Sequence, residues 1–291
     1  MNVYLCAPHT YKGLTEAAMD LYIAGAASAG NASSVWKTNK PADAMNIFLA
    51  GTHAEKNRAN SQGDFAQRIS VLESFYYVQD WMDPYIQKHW DFLLDSGAFT
   101  FMQANTKGVD WVEYVERYAA YINRLNIAHF FELDIDAVVG LRKVEELRTI
   151  LERLTGKQSI PVWHHSRGRD YWQRMCDEYK YVAIGGMVSD VKYRNRIEPL
   201  FPYFLGEASK RRTKVHGLGY TSLVGLTKYR FHSVDSTAWV YGNRSGFIYM
   251  FNGKTITKIS APAGMQMKSK AVAVHNFREW VKFQRYAKDN L

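Results

Sequence analysis

Eight short apolar runs, at residues 3–6, 47–50, 92–94, 130–135, 160–162, 181–184, 215–218 and 231–234, punctuate this chain at intervals that mostly leave room for a helix. Short continuous apolar runs read as strands buried on both faces, the signature of a parallel sheet covered by helices. Two intervening segments carry helical spacing. In 110–125, Trp111, Val115, Tyr118 and Ile122 recur every three or four residues, with Asp110 placed to cap the amino end. In 141–154, Val144, Leu147, Leu151 and Leu154 do the same, and Gly156 follows as a stop. Eight strands alternating with helices in 291 residues predict an α/β fold, a (β/α)8 TIM-type barrel. Beyond the eighth run, 246–259 reads as a β-hairpin turning at Asn252-Gly253. A terminal helix follows, with Phe277, Trp280 and Val281 on one side and Arg278, Lys282 and Arg285 on another. No linker rich in Pro, Gly or Ser and no internal repeat divides the chain. The expectation is one domain, 1–245 forming the barrel and 246–291 a C-terminal hairpin and helix extension.

Polar residues stand at the exits of these runs: His9, His53, Asp95, Asp134 with Asp136, His164 with His165, His216 and Asp235, while Gly185-Gly186 supplies the sixth exit. In a barrel the carboxyl ends of the strands form the active-site face, so the set is expected to converge on one mouth. A histidine taken alone reads more readily as a structural residue than as a catalyst. The carboxylates of Asp95-Ser96-Gly97-Ala98-Phe99 and Val234-Asp235-Ser236 are harder to assign to packing. Paired carboxylates suit displacement at a sugar carbon, where one attacks or steadies the carbon and the other moves a proton.

Charge bears on the partner. The formal net charge is +9, with basic clusters at Arg167, Arg169 and Arg174, at Lys192, Arg194 and Arg196, and at Lys210, Arg211, Arg212 and Lys214. Each also reads as a solvated surface. Their interleaving with Tyr171, Trp172, Tyr193, Tyr220 and Tyr229 favours a nucleic acid, whose phosphates meet cations and whose exposed bases stack on rings. Cys6 and Cys176 are too few and too far apart for a disulfide framework or a cysteine-rich zinc site, and read as ordinary thiols. No apolar stretch approaches the roughly 20 residues needed to span a bilayer, and no secretory leader pattern opens the sequence. A cytoplasmic protein without a membrane partner is expected. Aromatic surface residues serve a homodimer interface as well as a nucleic acid, which leaves the oligomeric state open.

Four segments, in order, resemble the tRNA-guanine transglycosylase superfamily. Asp95-Ser96-Gly97-Ala98-Phe99 resembles its D-S-G-G-[FY] motif, and Ala183-Ile184-Gly185-Gly186-Met187 its glycine-pair segment. Val215-His216-Gly217-Leu218-Gly219 resembles its L-M-G-V-G strand, and Asp235-Ser236 falls where its nucleophilic aspartate stands. The likeness covers roughly 90 to 240. Two departures matter. The three-cysteine, one-histidine zinc site of the tRNA enzymes has no counterpart here, and Trp163-His164-His165 replaces Gln-Gly-Gly after the fifth strand. A zinc-free relative resembles the phage-type 7-deazaguanine DNA transglycosylases, which exchange guanine in DNA for a 7-deazaguanine base; in that case the location is the host cytoplasm.

The resemblance implies that Asp235 attacks C1′ of deoxyguanosine and expels guanine, and that an incoming free base such as 7-cyano-7-deazaguanine displaces the aspartate with net retention. Asp95 would pass the proton, which calls for a raised pKa in a pair that titrates as a coupled unit. Asp134 or Asp136 would read the N1 and 2-amino edge of the base. Phe99 and His216 would sandwich it, and the backbone of Gly185, Gly186 and Met187 would meet its polar edge. Ser96, Gly97, Trp163, His164 and Gly217 complete the expected base pocket, and Arg167, Arg169, Lys192, Arg194, Arg196, Lys210, Arg211 and Arg212 the nucleic-acid surface. The target base must be flipped out or single-stranded. No metal and no cofactor is required. Three other readings remain: a transglycosylase acting on RNA, a nucleic-acid-binding barrel without catalysis, and a metal-dependent TIM-barrel hydrolase using His9, His53, His164 or His165, His216 and Asp235.

Overall fold

A computed structural model describes residues 1–6, 36–37, 68–97, 100, 108–187, 191–220, 222–240, 246–260, 266–267 and 269–291. Two compact units make up the chain. The first comprises Met1–Ala7, Ser70–Ser236 and Ala287–Leu291, and the second Pro8–Ile69 and Thr237–Tyr286.

The first unit is an α/β fold built on an eight-stranded, all-parallel, strongly curled sheet. Its strands are β1 (Asn2–Cys6), β2 (Ile69–Ser74), β3 (Trp90–Asp95), β4 (His129–Phe130), β5 (Val162–Trp163), β6 (Tyr181–Ile184), β7 (Lys214–Gly217) and β8 (Ser233–Ser236). The sheet order is β4-β3-β2-β1-β8-β7-β6-β5, which is chain order read around a ring. Register is set by pairs such as Tyr4 with Asp235, Leu5 with Val71, and His216 with Ser233. Between the two ends of that order, Phe131 and Ile160 make a parallel bridge, and the Glu132 N–H donates to the Ile160 carbonyl at 3.1 Å.

Helices alternate with the strands: α1 (Asp83–Lys88), α2 (Trp111–Arg124), α3 (Asp136–Val139), α4 (Leu141–Thr155), α5 (Gly168–Glu178), α6 (Val191–Ile197), α7 (Phe201–Lys210) and α8 (Leu223–Lys228). Helix α2 forms as its spacing predicts. Asp110 accepts from the N–H groups of Val112 and Glu113 at 2.9 and 3.1 Å, satisfying donors that the first turn leaves open. Tyr114, Val115, Tyr118, Ala119 and Ile122 form its buried face. In α4, Val144, Leu147 and Leu151 are buried and Gly156 ends the helix in the left-handed region at φ 65°, whereas Leu154 is exposed and Arg148 takes a buried place.

The second strand departs from expectation. The neighbour of β1 is Ile69–Ser74, so the eight places of the sheet are filled without 47–50, which lies outside the described residues. The run Ile69-Ser70-Val71-Leu72 is apolar apart from Ser70, and Glu73 follows it at once. Strand β8 is also shifted, starting at Ser233 and not 231, which carries Asp235 into the strand.

Alternate residues of the strands form one apolar cluster: Tyr4, Cys6, Leu72, Leu93, Phe131, Ile160, Val162, Tyr181 and Ala183, with Leu218 packed against it. The two-residue period sends one set of side chains to the inner face and the other, such as Trp163, to the helix layer. Trp163 packs on Phe204 and Trp172, with ring centroids 4.3 and 6.1 Å away.

In the second unit, β9 (Phe247–Phe251) and β10 (Ile256–Ser260) form the expected antiparallel hairpin. Asn252 Oδ1 accepts from the N–H groups of Lys254 and Thr255, and Gly253 supplies a φ of 94°. Helix α9 (Ser269–Asn290) buries Phe277, Trp280 and Val281. Its Asn276 and Glu279 accept from the Tyr249 and Phe251 N–H groups at 2.8 and 2.7 Å, pairing donors of a strand edge. Trp36–Lys37 pairs with Gln266–Met267. Among the described residues no helix is long and apolar enough to cross a membrane.

Candidate active site

Parallel strands deliver their carboxyl ends to one end of a sheet, and that end gathers Cys6, Glu73, Asp95, Asp134, His164, Gly185 and Asp235. Asp95 closes β3, where a tight turn follows. Its Oδ2 accepts from the Gly97 N–H at 2.9 Å, and the Ser96 carbonyl accepts from the Tyr114 hydroxyl at 2.6 Å. Gly97 is required here twice over: its φ is 84°, and a Cβ would lie 3.0 Å from Ser74 Oγ and 3.1 Å from the Tyr114 hydroxyl.

The environment shifts Asp95 strongly. Burial raises its pKa to about 7; the Gly97 N–H opposes the rise, while Asp134, Asp235 and Glu73 reinforce it by like charge. Asp95 thus exchanges a proton near neutrality, and Asp235 is among the groups that it senses.

Asp235 is held from three sides. The Cys6 thiol lies 3.2 Å from Oδ2, while His216 Nε2 at 3.2 Å and the Gly219 N–H at 2.5 Å reach Oδ1. Burial and the Asp235 charge push the Cys6 thiol well up, so it stays protonated and donates. Cys6 is thus the free, buried thiol that the sequence suggests, placed here as a donor to Asp235. Its signal was the pairing of β1 with β8, which puts the end of one strand beside the carboxylate of the other.

A second cluster surrounds Asp134. His164 Nε2 lies 2.7 Å from its Oδ1, and the net effect on His164 is an upward shift, because the Asp134 charge and hydrogen bond outweigh burial, the largest single influence. Gly185 makes this possible: a Cβ there would lie 2.6 Å from His164 Cε1. At Gly186, φ is 80° and a Cβ would meet the Tyr193 ring at 2.9 Å. At both glycines the place of a Cβ is taken by this chain's own rings, His164 at Gly185 and Tyr193 at Gly186.

Arg167 is also corrected. Its side chain is 1% exposed, with Nη1 2.8 Å from Glu132, Nε 3.0 Å from Asp136 and Nη2 3.8 Å from Asp134, so it cannot meet a phosphate as placed. Glu132 is wholly buried and also binds Arg148 at 2.9 Å and the Val162 N–H at 2.8 Å. Burial still raises its pKa against both arginines. Neither Glu132 nor Arg148 is legible in the sequence, because a charge inside an apolar pattern reads as a surface position. Asp134, Asp136 and His164 bring donor atoms within 4.8 Å of one another, but the Arg167 cation already lies among them.

Other expected residues divide. Met187 and Ser96 are buried, and Gly217 packs against Phe231 and Tyr220. Trp163 is turned to the helix layer and donates to the Gly168 carbonyl at 2.7 Å, so it does not line the mouth. His216 lies within β7, wholly buried, and cannot stack on a base. Lys210 ends α7, and Arg211 and Arg212 follow it just before β7 begins, which places all three at the amino ends of the strands, away from the carboxylates. Lys210 and Arg211 are moreover paired with Glu207, and Arg211 with Asp177. Lys192, Arg194 and Arg196 on α6 and Arg169 on α5 follow the carboxyl ends of β6 and β5, where Lys192, Arg196 and Arg169 are exposed. Phe99, His9 and His53 lie outside the described residues.

Comparison with family models, with curated proteins and with solved structures gives no match.

Proposed function

We propose that this protein is a guanine transglycosylase that exchanges guanine in DNA for a 7-deazaguanine base through a covalent glycosyl-aspartate, on a closed (β/α)8 barrel of the tRNA-guanine transglycosylase type. The observation that carries the proposal is the division of labour between two carboxyls at one end of the sheet. Asp95 has a pKa of about 7, and Asp235 is fixed by donors on both of its oxygens. Closure of the barrel is supported by the Phe131–Ile160 bridge.

In the first half-reaction an Asp235 oxygen attacks C1′ as the C1′–N9 bond breaks, and protonated Asp95 gives its proton to the departing guanine. In the second, Asp95 takes a proton from the incoming base, whose nitrogen attacks C1′ and releases Asp235. Configuration is retained over two inversions. A 7-deaza base lacks the N7 at which guanine is protonated, so exchange runs mainly one way. Asp134 is the better reader of the guanine N1 and 2-amino edge: Asp136 is engaged by Arg167 Nε at 3.0 Å, whereas Asp134 is oriented by His164. Lys192, Arg194, Arg196 and Arg169 stand on the side where the flipped strand would run.

The test is release of labelled guanine from DNA, and separately from tRNA, in the presence of 7-cyano-7-deazaguanine. Release from DNA alone, lost by at least about 10³-fold in Asp235→Ala and Asp95→Ala, is expected. Release from tRNA alone keeps the chemistry and changes the substrate. No release from either, with activity restored by an added divalent metal on another substrate, favours the hydrolase.

A further inference from the structure

We propose that His216 is a positioning residue for Asp235, the inner link of a buried hydrogen-bonded chain that aims the carboxylate at the sugar carbon. The proposal rests on the reading of Asp235 as nucleophile. The chain runs through the inner face of the sheet. The Tyr181 hydroxyl meets Ser233 Oγ, Ser233 Oγ lies 2.6 Å from His216 Nδ1, and His216 Nε2 lies 3.2 Å from Asp235 Oδ1. His216 is 0% exposed, and its ring is flanked by Phe131 and Tyr4 at centroid distances of 5.3 and 6.0 Å.

Donor bookkeeping orders the chain. An ionised carboxylate has no proton to give, so His216 Nε2 carries one and donates to Asp235. Ser233 then donates to Nδ1 and accepts from Tyr181, and every buried polar atom in the row is matched. The orientation follows from strand register: His216 pairs with Ser233 across β7 and β8, and Asp235 follows two residues on, facing the same way. The ring is thereby held at both nitrogens, and Asp235 Oδ1 cannot rotate without breaking the link.

This assigns His216 a task unlike the stacking that its place in the resembled L-M-G-V-G strand implies, and the two tasks predict opposite mutants. A methionine suits stacking and gives no N–H. A glutamine can place an amide N–H where Nε2 stands. With guanine release as readout, His216→Gln is expected to keep kcat within about fivefold, and His216→Met to lose about 10²-fold with KM changed less than threefold, the cost of a misaimed reacting group. Wild-type kcat in His216→Met, or a loss carried by KM, overturns the proposal. A second measurement needs no activity. Nitrogen NMR of the labelled protein is expected to show the His216 proton on Nε2, with its resonance displaced in Asp235→Ala; a proton on Nδ1 alone, or no response to that substitution, overturns the proposal. If the wild-type protein releases no guanine, the functional reading fails while the NMR result still decides whether His216 holds Asp235.

Discussion

Asp95 carries two consequences that point in opposite directions. Its folded-state pKa of about 7 lies above the ordinary carboxyl value, so between roughly pH 4 and 7 the native state binds more protons than the unfolded one and stability falls as pH rises. The penalty is absent below about pH 4 and complete above about pH 7. Asp95→Asn keeps the acceptor for the Gly97 N–H while removing the charge; its melting temperature should exceed wild type by a few degrees at pH 8 and equal it near pH 3.5, although exchange is lost. Thermal melts at the two pH values check this. Single-turnover guanine release should fall about tenfold per pH unit above about 7, as the acid form is depleted. A flat profile from pH 6 to 9 removes Asp95 from the proton-transfer role. The aspartates themselves were legible, because a carboxylate ending an apolar run has few structural excuses. Cys6, Glu73 and Glu132 were not, because their importance comes from what neighbouring strands place beside them.

Elements decide which residues can meet. Helix α2 is legible in the sequence because capping and a 3.6-residue stripe are local. Strand β2 is hard to see in the sequence because Ser70 and Glu73 break its apolar pattern, and the start of strand β8 is hidden because Phe231 outweighs the inward period of Ser233 and Asp235. At the turn after β6, Gly185 gives the His164 ring its space against Val162, since a Cβ would lie 2.7 Å from Val162 Cγ1 as well. Gly185→Ala should displace His164 from Asp134, raise KM for the base tenfold or more and destabilise by about 1–3 kcal/mol. Base-concentration curves and denaturant melts measure both. Lys192→Ala with Arg196→Ala on α6 should weaken DNA binding and flatten its salt dependence, whereas Lys210→Ala with Arg212→Ala should leave both near wild type, because the second pair sits at the amino ends of the strands.

Across the first unit, the parallel sheet was legible as an alternation of runs, but its buried ionic centre was not. Glu132 binds Arg148 and Arg167 together, so Glu132→Ala leaves two cations without their shared partner and should cost about 3–5 kcal/mol. Arg167→Ala should cost a similar amount, and the double variant less than the sum, because the two share one interaction. Chemical denaturation of the three variants gives the coupling. Through Arg167 the same centre reaches Asp136 at 3.0 Å and Asp134 at 3.8 Å. The claim that ties residue, strand and sheet together is that Asp235 becomes covalently joined to a nucleotide. The most direct measurement is to denature the protein after incubation with guanine-containing DNA and no incoming base, and to read the linked species by mass. A DNA adduct on Asp235, absent in Asp235→Asn and discharged by 7-cyano-7-deazaguanine, is the predicted result. Guanine release with no adduct, or an adduct that survives in Asp235→Asn, would contradict the account.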